Sequence, residues 1–111
     1  QTSSIAEQLL FTTIRIETIS PNGATGVGTS FIFSLQREGV TYLFLVTNKH
    51  VIAGTLIGTL SFIFKNNGQP ILGQRYTLQV PNFEQIWMGH PDPEVDIAIT
   101  PFVPILERLS Q

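Results

Sequence analysis

A histidine at the foot of an apolar run, and a carboxylate much further along the chain, are the residues with chemistry to offer. His50 follows closely on Tyr42-Leu43-Phe44-Leu45-Val46. A strand would therefore anchor its backbone while its ring faces water, and the ordinary histidine pKa of about 6.5 suits a general base at neutral pH. A neutral imidazole must present one bare nitrogen to the group it deprotonates. A carboxylate accepting the other N–H fixes that tautomer and stabilises the imidazolium that forms. Asp96, 46 residues on in Val95-Asp96-Ile97-Ala98-Ile99, is the best candidate. Alternation puts it on one face with Ala98, whose small side chain leaves room for a ring. Asp92, between Pro91 and Pro93, belongs to a loop. Taken singly, each has a plain structural reading: a histidine at a strand end is commonly a hydrogen-bonded support, and an aspartate before a strand commonly caps a turn.

Strands must position this pair. Beyond a short helix predicted over 4–10, with Ser3 or Ser4 as N-cap, the apolar residues recur with a period of two. Ile14 and Ile16 alternate with Thr13, Arg15 and Glu17; Phe31, Phe33 and Leu35 alternate with Ser30, Ile32, Ser34 and Gln36, and the phenylalanines read as the core face. A third strand over 41–47 is apolar on both faces and forms a hairpin with the second across Arg37-Glu38-Gly39-Val40. Asn48 to Gly54 suits one helical turn ended by the glycine. Further strands are predicted around Leu60-x-Phe62-x-Phe64, around Tyr76-x-Leu78-x-Val80, as a short piece over 84–88, and over 95–100 with Asp96 near its start. Six or so short antiparallel strands, the piece over 84–88 being the optional one, suit a single closed six-stranded Greek-key barrel, because closure removes unpaired edges.

Composition narrows the functions. At 111 residues and 12.3 kDa the chain is one domain, 42% hydrophobic and only 13% charged against a norm of about 25%, which excludes a disordered chain. Six basic residues are scattered singly in a net charge of −2, so no nucleic-acid partner is expected. The longest apolar run, 42–46, is far short of the roughly 20 residues a membrane span needs, so no membrane partner is expected either. The absence of cysteine removes disulfides, thiolate metal sites and a cysteine nucleophile, and leaves the compartment open. Asp92-x-Glu94-x-Asp96 lacks the glycine and the distal glutamate of a calcium loop. His90 with His50 and Asp96 fits no zinc signature, and Gly23 to Gly28 is followed by a strand rather than a dinucleotide-binding helix. No metal or cofactor is expected.

Thr47-Asn48-Lys49-His50-Val51 after two apolar strands, Gly26-Val27-Gly28-Thr29-Ser30-Phe31 before them, and Val95-Asp96-Ile97-Ala98 following resemble, in that order, the first half of a trypsin-like peptidase of the chymotrypsin fold. The resemblance runs over about 10–106, nearly the whole chain. It implies an amino-terminal barrel in which His50 is the general base and Asp96 the carboxylate orienting it, with a peptide or protein as substrate. Lys49 and Val51 flank the histidine where secreted animal members carry a small residue and a cysteine. The likeness is therefore to disulfide-free bacterial branches.

The family's nucleophile stands in a Gly-x-Ser-Gly turn of a second barrel, and none of the seven serines lies in such a turn; Ser30, after Gly28-Thr29, comes nearest. Without a nucleophile and oxyanion hole the base has nothing to activate, so this chain alone is expected to be inactive. Beginning at Gln1 without a signal-like segment, it reads as a piece of a longer protein. The apolar surface that would meet the second barrel is expected to favour self-association. The alternative is a non-catalytic peptide-binding or scaffold β-barrel module that keeps His50 and Asp96 as structural residues.

Overall fold

In the computed structural model, which describes residues 14–66 and 69–105, with side chains over 14–62 and 76–105, alternation produces strands where a period of two was read. In β1 (Ile14–Ile19), Ile14, Ile16 and Thr18 point inward while Arg15 and Glu17 face water. The helix predicted over 4–10 lies outside the described residues. The long β2 (Thr25–Arg37) pairs with β1 through its first half and with β3 (Val40–Thr47) through its second, changing partner between Ser30 and Phe31. The turn between β2 and β3 is tighter than expected. Only Glu38 and Gly39 lie outside the ladder, both at positive φ (52° and 79°), the two-residue geometry whose twist matches a hairpin.

A single helical turn, α1 (Lys49–Ile52), leads to β4 (Ile57–Asn66), which returns to pair with β1, and β5 (Gln69–Pro81) pairs with β4. The short strand predicted over 84–88 is instead a 3₁₀ turn over Phe83–Ile86 followed by the two-residue β6 (Met88–Gly89). Asn82 takes the left-handed conformation (φ 54°) and sends Phe83 inward, where its N–H bonds the Leu56 carbonyl and its ring is fully buried. The last strand, β7 (Ala98–Pro101), begins later than predicted. The Asp96 carbonyl is used by Asn48 and Lys49, so the ladder with β3 starts only at the Thr47–Ala98 pair.

The result is one antiparallel sheet of seven strands in the order β5-β4-β1-β2-β3-β7-β6, not the six-stranded closed barrel expected. Closure fails at a particular place: the edge of β7 that would meet β5 is taken by β6. The sheet still curls. Phe62 of β4 packs at a tilt against Phe102, just beyond β7, with ring centroids 5.9 Å apart, and residues of β1, β3, β4, β5 and β7 share one core cluster. At the seam, Val80, Ile86, Thr100, Pro101, Pro104 and Ile105 line a cavity of about 260 Å³.

The predicted polarity of β2 is reversed. Ser30 is buried and Ile32 packs against the core, whereas Phe31 and Phe33 are exposed. Cross-strand register decides this: Ile32 faces Leu45, which β7 and the core cover, and a period of two then turns the phenylalanines outward. No helix among the described residues is long and apolar enough to cross a membrane.

Candidate active site

The β3–β7 ladder brings the predicted pair together. Thr47 faces Ala98; His50 lies three residues beyond the first and Asp96 two residues before the second. The chain leaves β3 firmly held, because Thr47 Oγ1 donates to the Thr29 carbonyl at 2.8 Å. Asn48 is extended (φ −91°, ψ 144°), and α1 then turns back through the Val51 N–H to Asn48 carbonyl bond. A close approach seats α1 on the sheet: a Cβ on Gly28 would stand 2.6 Å from Val51 Cγ1, so only glycine at 28 lets α1 lie where it does. Gly54 follows at φ 70°, ending the turn as predicted.

Asp96 grips this turn at several points. One carboxylate oxygen accepts the His50 main-chain N–H at 3.0 Å, and the other meets His50 Nδ1 at 2.5 Å. Its main-chain carbonyl accepts Asn48 Nδ2 at 2.9 Å and the Lys49 N–H at 3.3 Å. Contrary to the sequence reading, Asp96 precedes the strand rather than lying in it; the pairing depends on this irregular segment and not on strand alternation. The His50 ring N–H, supported by the His50 main-chain N–H and charge, holds the Asp96 carboxyl below its ordinary value against the opposing effect of desolvation. With Nδ1 committed to the carboxylate, Nε2 is the nitrogen left to accept a proton. Both side chains are open to solvent, 72% exposed for His50 and 47% for Asp96.

The segment that carries Asp96 is braced in turn. The His90 N–H donates to the Ile97 carbonyl, and His90 Nδ1 accepts the Asp92 N–H at 3.0 Å. Asp92 Oδ1 accepts the Glu94 N–H at 2.9 Å, and Lys49 Nζ, its stem lying over Gly89, donates to the Asp92 carbonyl at 3.0 Å. His90 thus serves its own loop. Among the described residues no group of three metal-ligating side chains stands together. Asn48, Lys49 and Gly28 stand in the sequence motifs around His50 and Ser30, but their positioning roles were not read there; each acts on a backbone carbonyl or through a close approach, which residue type alone does not announce.

Ser30, the nearest sequence imitation of a nucleophile, is fully buried, and its hydroxyl donates to the Val46 carbonyl at 2.8 Å. It is a packing residue. No protein-family model, curated protein or solved structure matches this chain.

Proposed function

We infer that this chain carries the general-base half of a serine-peptidase site of the trypsin-like kind, with His50 as base and Asp96 as its orienting carboxylate. The observation that carries the reading is the two-point grip of the Asp96 carboxylate on the His50 N–H and Nδ1. A carboxylate that only capped α1 would need the first contact and not the second. In the reaction, Nε2 takes the proton of a serine hydroxyl as its oxygen attacks the peptide carbonyl, then gives that proton to the leaving amine, while Asp96 steadies the transient imidazolium. The serine and the oxyanion donors come from outside these 111 residues. The order β4-β1-β2-β3 supports a Greek key, and the curl of the sheet supports a barrel left open at the β5–β7 seam.

A second reading has an observation of its own. Asp96 ties Asn48, Lys49 and His50 to the segment before β7, as a structural latch in a non-catalytic binding module would. The coding sequence continued past Gln111 and a serine-directed fluorophosphonate probe separate the two. The peptidase reading expects labelling at a Gly-x-Ser-Gly serine in the longer protein, abolished by His50→Ala and slowed roughly 10³-fold or more by Asp96→Asn. A continued sequence with no such turn, or labelling indifferent to His50, overturns it in favour of the latch.

A further inference from the structure

The two halves of the sheet differ on their outer side. Across β1, β4 and β5 most outward residues are polar, among them Arg15, Glu17, Thr59 and Gln79, with Ile19 at the end of β1 an exposed apolar exception. Across β2, β3, β7 and β6 they are apolar. The register lines up Phe31, Val46, Ile99 and Met88 as one row over four strands. A second row adds Phe33 beside Phe44, and a third sets Leu35 against Tyr42. Phe31 is 60% exposed, Phe33 50% and Met88 70%. The inner side of the same strands is already spent on the core through Ile32, Leu45 and Ala98. A sheet apolar on both sides is built to be covered on both.

We propose that a second copy of this chain covers this face, forming a two-fold dimer. Two observations select that occupant. The first is area: with about 200 Å² for an aromatic side chain and somewhat less for an aliphatic one, the exposed fractions of Phe31, Phe33, Leu35, Tyr42 and Met88 give on the order of 500 Å². That is at the upper end of the roughly 300–600 Å² of the largest patch on a typical monomer, and two such faces together reach the roughly 1,000 Å² that a specific interface needs. The second is charge. A two-fold contact opposes each patch to itself, so any charge inside it would meet its own kind. The three rows contain none, and at their far end the hairpin carries Arg37 next to Glu38, which can pair reciprocally with Glu38 and Arg37 of the other copy. The proposal is independent of the peptidase reading, since neither His50 nor Asp96 enters it.

Sedimentation equilibrium of the chain tests this. A dimer is expected over about 1–100 µM, with Phe33→Asp and, on a different strand, Met88→Asp each weakening association by roughly tenfold or more while far-UV circular dichroism stays native. Thr59→Asp on the polar half leaves the dimer intact. A wild-type chain that is monomeric at about 100 µM overturns the proposal. So does a dimer that both folded aspartate variants preserve. A monomer whose Phe31 and Met88 signals shift only when a different polypeptide is added assigns the face to that polypeptide and not to a second copy.

Discussion

Asp96 holds His50 by ring and by backbone at once, one carboxylate oxygen on Nδ1 and the other on the main-chain N–H. The two contacts restrict different motions: the second sets where the residue sits, the first which way its ring turns. A histidine held in both respects is ready to accept a proton at Nε2 without first reorganising.

Replacing Asp96 by Asn separates those roles. The amide can still accept one N–H, but it carries no charge to favour a protonated Nδ1. Nitrogen-15 spectra of the His50 ring are expected to show a single Nδ1–H tautomer in the wild type and a mixture in Asp96→Asn. Identical spectra would mean that the carboxylate does not set the tautomer.

Stability should follow pH through the same group. The folded-state pKa of Asp96 lies below the ordinary 3.8, so the unfolded chain takes up its proton first as pH falls. The contribution is therefore fully present above about 3.8 and disappears as pH drops through the lower folded value. Urea midpoints measured across the acid range should fall more steeply for wild type than for Asp96→Asn; parallel curves would contradict this.

Gly28→Val tests how α1 is seated. The new side chain would drive into Val51, costing roughly 1–3 kcal/mol by overpacking. Val51→Ala in the same chain should recover part of that loss, a coupling that a double-mutant cycle measures. Two additive penalties would mean that the contact does not position α1.

Ser30→Ala removes a buried hydroxyl that donates to Val46, and a loss of about 1 kcal/mol in chemical denaturation is expected. Fluorophosphonate labelling of the longer protein should be unaffected. Lost labelling in a folded Ser30→Ala variant would restore Ser30 as a nucleophile candidate.

Much of this was legible in the residues. The period of two in Ile14-x-Ile16, the hairpin around Glu38-Gly39 and the helical turn ended by Gly54 all follow from local rules, and His50 falls where β3 stops. The pair itself was legible because both residues flank apolar strands that later prove adjacent. What local pattern does not contain is which side of an evenly apolar strand turns inward. Ser30 and Ile32 face the core because of what Leu45 brings across the ladder, a fact of register rather than of β2. Likewise Asn82 diverts the chain into a 3₁₀ turn, and β6 then takes the edge of β7; neither follows from the hydrophobicity of 84–88.

The division of β2 between two partners has an evolutionary corollary. Adding or deleting one residue near Ser30 would put the Gly28 end and the Phe33 end out of step, disturbing the seat of α1 and the outer rows together. The Glu38-Gly39 tip has no such obligation. Length variation in descendants of this chain should therefore gather at the hairpin tip and spare the middle of β2, which works as a ruler shared by two otherwise separate surfaces.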